Sequence, residues 1–341
     1  MLSKIFEALY LKVLVNIVIK RASTVVYIEL YSKKGNIDNV HAEFPTVKPD
    51  EKLLEFIHTY TKESPFYYIA ILDNASLQGA LPTCAKSRLS YYADLSDCEY
   101  KCYAEQWAYY TAKTELYALE KLYKETGVDF VFSPFVLLAN FFKDKINGHL
   151  ALYALIEEDF LSIAVFEEGK LFYAQHLNIQ ETASVVDDIL LSDDLTENES
   201  IDLDMDGGID LEEIDVEDHG SLEDFGDIED LDTIEEIEEF DDSKDAEEEL
   251  LESDDVLESS DEDNFNEDYQ RFSLIQKSIA NYYKDERYES QFLENIYIAD
   301  GVGVSSDLKK YLEEEMFLNV YIRHTEIDAE VCELVKEELG L

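Results

Sequence analysis

Apolar residues are distributed along the chain as two similar successions of strands and helices. Val13 to Lys20 and Thr24 to Tyr31 are rich in Val, Ile and Tyr and predict two strands. Lys33, Lys34, Gly35 and Asn36 form a turn, and Val40 to Phe44 returns as a third strand, giving an antiparallel meander. Pro49 and Asp50 open a helix to about Lys62 that carries Leu53, Leu54, Ile57 and Tyr60 on one face. Phe66 to Leu72 is short and nearly all apolar, the pattern of a strand covered on both faces. The pattern weakens from Asn74 to Tyr110, where Leu81-Pro82 interrupts it and only Trp107 to Thr111 suggests a strand. Glu115 to Thr126 predicts a helix closed by Gly127, Asp129 to Phe132 a strand, and Ser133-Pro134 the cap and first turn of a helix through Phe142.

A second meander follows: Leu150 to Ile156, Phe160 to Phe166, a Glu167-Glu168-Gly169-Lys170 turn, and Leu171 to Ile179. Further on come a helix from Phe272 to Tyr283, a strand from Asn295 to Ala299, and a turn bearing Asp300, Gly301 and Gly303. Ser306 caps a helix from Asp307 to Glu315. A strand, Val320 to Arg323, and a helix from Asp328 complete the pattern. Repetition of meander, helix, strand and helix predicts an α/β protein with two similar halves.

Charge divides the chain differently. Between Asp187 and Asp268 lie 40 acidic residues and one basic residue, Lys244, out of a net charge of −52 over 341 residues. What remains is only mildly acidic, and at 46% apolar overall the chain has material for a large core. So strong a negative field excludes nucleic acid as a partner and favours a basic protein surface. The acidic tract is expected to be disordered, because it lacks the apolar content to offset its ordering entropy. Its hydrophobes recur every third residue (Leu222, Phe225, Ile228, Leu231, Ile234, Ile237, Phe240), so a helix would wind them around its circumference. Short stretches of such a tract suit docking into a partner's groove.

The tract also holds one match to a calcium loop: Asp202, Asp204, Asp206, Gly207 and Glu213 fit D-x-D-x-D-G-x5-E. About half the tract is carboxylate, so a chance match is easy, and no second loop pairs with it. The four cysteines, Cys84, Cys98, Cys102 and Cys332, show no paired framework and fit a reducing cytoplasm. Cys98 and Cys102 are spaced for one helix face, but two thiols make no zinc site. The six histidines have no motif spacing. The N-terminal apolar run is broken by Lys12, Asn16, Lys20 and Arg21, and the run from Val128 to Phe142 by Ser133, Pro134 and Asn140. Neither reaches the roughly 20 apolar residues needed to cross a bilayer.

Three segments carry a family resemblance: Gly127 to Ala139; the meander with its Glu168-Gly169-Lys170 turn; and Ile275 to Tyr311, which includes Ile-Tyr-Ile-Ala-Asp-Gly-Val-Gly-Val-Ser-Ser. Together they resemble the actin-like fold of actin, Hsp70 and the sugar kinases, and within it the cytoplasmic proteins of type IV pilus and type II secretion machines (the PilM and GspL cytoplasmic-domain type). The resemblance implies an actin-like (ribonuclease H-like) two-lobed α/β fold with mixed sheets. Residues 1–147 would form the first lobe, 148–186 and 269–341 the second, and 187–268 the acidic insertion. Nucleotide-binding members clamp phosphates between two hairpin turns of Asp-x-Gly type, where glycine lets backbone amides approach the phosphate. Here those turns read Lys20-Arg21-Ala22-Ser23, a basic pair of the kind usually left as solvated surface, and Glu157-Glu158-Asp159. Neither has a glycine, so the phosphate sites are expected to be lost and ATP hydrolysis with them. Residual nucleotide binding would fall on Gly301, Gly303 and Ser305.

What the resemblance implies is a cytoplasmic scaffold or adaptor of a pilus, secretion or DNA-uptake machine. It would meet inner-membrane assembly components, and a secretion ATPase among them, through protein contacts without a membrane span of its own. Secretion-type members continue into a membrane span and a periplasmic domain, so a sequence ending at Leu341 is expected to resemble the soluble pilus type. Two other readings stay open at this point: a divergent ATPase or sugar kinase of the same fold, and a calcium-responsive regulator acting through the acidic tract.

Overall fold

Strand β1 (Lys12–Ile19) reads as a nearly continuous apolar run because both of its faces are covered. Val13, Val15, Ile17 and Ile19 join one core cluster and Leu14 and Val18 another. Strands β2 (Thr24–Ser32) and β3 (Gly35–Phe44) continue the meander, and β3, at the sheet edge, is largely exposed. Asp50 caps α1 (Glu51–Thr61) by accepting the Leu53 N–H at 2.9 Å, and the helix turns Leu53 and Ile57 onto the outer face of the sheet. β4 (Phe66–Leu72) and β8 (Phe130–Phe132) add in parallel on the other side of β1, giving the order β3-β2-β1-β4-β8. This description, from a computed structural model of the protein, covers residues 10–179 and 258–341, with side chains from 267 onward in the second stretch.

The same arrangement recurs after α4 (Pro134–Phe141), whose start is set by the Ser133 cap and Pro134 in the first turn. β9 (Ala151–Ile156), β10 (Phe160–Glu167) and β11 (Lys170–Asn178) form an antiparallel meander. β12 (Asn295–Asp300) and β13 (Asn319–His324) join in parallel beyond β9, giving β11-β10-β9-β12-β13. Two sheets, each of three antiparallel strands followed by two parallel ones, make the ribonuclease H-like half twice over. The duplicated arrangement is the actin-like fold. α5 (Glu258–Lys284) and α6 (Ser306–Met316) cover the outer face of the second sheet through Ile275, Ile279, Tyr282, Leu308 and Leu312. α4 and α7 (Ile327–Leu339) lie between the two inner faces, where Phe135, Phe142, Val331 and Val335 share one core with Leu14, Leu72, Tyr153 and Phe166.

Three local expectations change. The weakly patterned stretch after β4 holds β5 (Gln78–Leu81), α2 (Lys86–Tyr92), β6 (Cys98–Tyr103) and β7 (Trp107–Ala112), followed by α3 (Lys113–Leu122). The strands make a separate antiparallel sheet, β5-β7-β6, anchored by Trp107, which packs on Tyr103 at 4.7 Å and edge-on to Phe166 at 6.0 Å. Cys98 and Cys102 therefore lie on a strand, and Cys102 is bridged to Cys84, so the cysteines give no argument for a reducing compartment. Third, α5 begins at Glu258, within the stretch assigned to the acidic insertion. The rest of that insertion, with its calcium-loop residues Asp202, Asp204, Asp206 and Glu213, lies outside the described residues. Among the described residues no helix is long and apolar enough to cross a membrane.

The bridge closes a loop of 18 residues. Cross-linking a loop of that length restricts the unfolded chain by about 3 kcal/mol. Cys84→Ser is therefore expected to lower stability by about 2–4 kcal/mol in denaturant titrations without reductant. The variant and the wild type should converge when a reductant is present.

Candidate functional site

Three turns meet where the lobes adjoin. The β1–β2 turn closes on Arg21 and Ala22, with Lys20 N donating to Ser23 O at 2.8 Å. The β9–β10 turn closes on Glu158 and Asp159, with Glu157 N donating to Phe160 O at 3.0 Å. The β12–α6 turn runs from Gly301 to Ser305. A cavity of about 240 Å³ opens between Arg21, Glu158, the 302–305 turn and Glu267, Asp268 and Arg271 of α5.

Gly301 and Gly303 have different reasons to be glycine. A Cβ on Gly301 would lie 2.6 Å from Glu157 Oε1 and 3.0 Å from Ile156 O, so close packing of β12 on the β9–β10 turn excludes any side chain. Gly303 has φ +79°, the left-handed region that L-residues rarely adopt. Ser305 caps α6, its Oγ accepting the Asp307 N–H at 3.1 Å. The three residues singled out in the sequence thus come together on one turn.

The donors of that turn are satisfied from within the protein. Asp300 is buried, and its Oδ1 accepts from Val302 N at 3.1 Å and Gly303 N at 2.8 Å, while Oδ2 accepts from Val304 N at 3.1 Å. Asp268 Oδ2 accepts from Ser305 N at 2.8 Å. Its other oxygen takes Arg271 Nη1 at 2.7 Å, and Arg271 Nη2 reaches Glu267 Oε2 at 2.7 Å. Asp268 and Arg271 are 1% and 6% exposed, an ion pair out of water. Sequence reading placed Glu267 and Asp268 in the acidic insertion; the signal available there was a lone arginine at i+4 and i+3 from them.

The first turn supplies the cations. Arg21 Nη2 donates to the backbone carbonyl of Glu158 at 2.7 Å, Nη1 lies 3.4 Å from Glu267 Oε1 and Nε 3.6 Å from Asp159 Oδ1. Lys20 Nζ stands 3.8 Å from Glu158 Oε1. Arg21 is thus not the solvated surface residue that a strand-end basic pair suggests; it spans the two lobes. Glu157, 3% exposed and beside Gly301, has its pKa pushed up from 4.5 to about 7 by burial, against the attraction of Lys20. Its Oε1 has no hydrogen-bond partner among the described residues.

A nucleotide with its metal is the group this fold implies, and these residues do not fit its phosphates. The amides of the 302–305 turn already hold carboxylates, and the β9–β10 turn offers Glu157, Glu158 and Asp159, whose charge repels a polyanion. Among the described residues no group of three or more His, Cys, Asp and Glu is arranged to hold a metal ion. Elsewhere, Ser162 Oγ and His176 Nδ1 stand 2.8 Å apart. Ser162 is fully buried and the far ring nitrogen faces Gln78 at 3.5 Å, so this pair packs the junction of β10, β11 and β5 and has no access to substrate. Burial lowers the His176 pKa to about 4.

Three variants test this electrostatic account. Asp268→Ala leaves Arg271 buried and unpaired and is expected to cost about 3–5 kcal/mol in urea denaturation. Replacing both residues by leucine should recover most of the loss. For Glu157 the folded pKa lies above the unfolded one, so its contribution to stability is fully present below about pH 4.5 and is lost as pH rises through about 7. Glu157→Gln should therefore match the wild type near pH 4.5 and exceed it by up to about 3 kcal/mol at pH 8, read from denaturation midpoints across pH.

Comparison with known proteins follows this geometry. A protein from Bacteroides thetaiotaomicron with an actin-like ATPase fold and unknown function aligns with a TM-score of 0.44 at 11% identity, covering 96% of this chain and 97% of that one. A PilM-PilN type IV pilus biogenesis complex gives 0.46 at 10% identity, over 91% of this chain and 87% of that one. MreB 5 of Spiroplasma citri bound to AMPPNP gives 0.41 at 10% identity, over 97% of both chains. No curated protein matches the chain. The model of one domain of unknown function (DUF8569) matches residues 10–139. A second family model matches residues 152–340, more than half of the sequence, and the chain accordingly belongs to the family described as a domain of unknown function (DUF8341).

Proposed function

We propose that the protein is a scaffold or adaptor of a pilus, secretion or DNA-uptake machine, built on an actin-like body that does not hydrolyse ATP. The observation that carries this reading is the occupation of the turn amides by Asp300 and Asp268. Phosphoryl transfer is catalysed almost entirely by positioning and charge stabilisation around the phosphates. A turn whose amides already hold carboxylates has neither to offer. The class of machine comes from the sequence resemblance over Gly127 to Ala139, the second meander and Ile275 to Tyr311. On this reading the protein works on the cytoplasmic side of the inner membrane and is held there by partners. Its strongly acidic tract suits a basic partner surface.

Titration of the full chain with a fluorescent ATP analogue and magnesium separates scaffold from enzyme. No saturable binding is expected in the micromolar range. Micromolar binding accompanied by phosphate release would make the protein a divergent ATPase or kinase of the same fold. Affinity purification of the full chain and of a variant lacking 187–257 addresses the partner. Recovery of an inner-membrane assembly protein or a secretion ATPase supports the adaptor role, and recovery of neither opposes it.

A further inference from the structure

The contacts at the cleft form one chain of charge that crosses from lobe to lobe. It starts at Arg21 on the β1–β2 turn of the first lobe. It passes to Glu158 O and Asp159 on the β9–β10 turn, and to Glu267 on α5. The second oxygen of Glu267 continues to Arg271, Arg271 to Asp268, and Asp268 to the amide of Ser305 on the β12–α6 turn. The first lobe is thereby tied, through Arg21 with Lys20 beside it 3.8 Å from Glu158 Oε1, to a network that gathers two turns and a helix of the second.

The two ends of the network differ in burial. The Arg271 and Asp268 side chains are 7% and 1% exposed, and a buried pair of this kind is strongly disrupted by loss of either partner. The Arg21 and Glu267 side chains are each 41% exposed, and half-exposed ion pairs are weak and screened by salt. The second-lobe part is therefore a fixed anchor, and the Arg21 arm is the part that releases.

We propose that Arg21 is an interlobe latch: its guanidinium closes the cleft by bridging to Glu158, Asp159 and Glu267, and its release opens the lobes. Ligand phosphates are not needed to draw the two hairpin turns together, because the first turn carries cations and the second carries anions. α4 and α7 and the inner faces of both sheets share an apolar core that keeps the lobes joined as the cleft opens. Closure is thus set by ionic strength and by any partner that competes for the arginine or its carboxylates. This holds whether or not the protein serves an assembly machine, since it concerns only the two lobes.

Spin labels on Lys48→Cys in the first lobe and Glu314→Cys in the second report the interlobe distance by double electron–electron resonance in the full chain. Both positions are exposed, and the native cysteines are either buried (Cys98, Cys332) or bridged (Cys84, Cys102). At about 0.1 M salt, where the Debye length is about 10 Å, the wild type should give a narrow distribution and Arg21→Ala a longer, broader one. Superposition of the two distributions would overturn the proposal. If Arg21→Ala does not fold, the wild type decides alone. Raising salt to about 1 M, with a Debye length of about 3 Å, should lengthen the distance, and an unchanged distribution would end the case for a latch.

Discussion

A carboxylate removed from water must be given donors, and at Asp268 the protein supplies them from two directions. Arg271 lies one helical turn away and the Ser305 amide belongs to a turn 37 residues on in sequence. The arrangement is self-consistent only when both are in place. Without Ser305 N the second oxygen loses its donor, and without Asp268 the arginine is stranded. This interaction ties α5 to the β12–α6 turn, occupies the Ser305 amide, and through Arg271 places Glu267 at the cleft mouth. The functional reading and the latch both rest on it.

The second constraint is steric. Two sheets, each apolar on both faces, have four faces to cover, and the chain covers the two inner ones with a shared pair of helices. α7 follows the last strand of the second sheet yet packs on the strands of the first. A buried ion pair locates it there, with Lys336 Nζ 2.9 Å from Glu29 Oε2 on β2. The lobes are joined by this core and, at the cleft, by the half-exposed charges of Arg21 and Glu267.

Close packing at the cleft also explains residues that look functional in the sequence. Gly301 answers the crowding between β12 and the β9–β10 turn, and Ser305 serves as a helix cap. Glu157 keeps a raised pKa because the same crowding removes it from water, with Lys20 as partial compensation.

The sequence by itself determined the repeated strand and helix order, because strands covered on both faces must be apolar throughout and helices need caps at their starts. The runs of β1 and β9, the caps at Asp50 and Ser133 and the glycine-free hairpin turns were all legible, since each depends on residues within a few positions of one another. The small sheet β5-β7-β6 was not legible apart from β7, because β5 is only four residues long and β6 is largely exposed, so neither carries a clear apolar alternation. The Cys84–Cys102 bridge was hidden because spacing alone does not say which cysteines meet, and the early start of α5 because Glu258 lies in a carboxylate-rich stretch. Most of all, Arg21 reads as an ordinary surface cation until Glu158 and Glu267 are brought to it across 137 and 246 residues of chain. Local pattern fixes which backbone conformations are cheap; only the closed tertiary structure decides which charges meet, because Coulomb attraction depends on distance through space and not along the sequence.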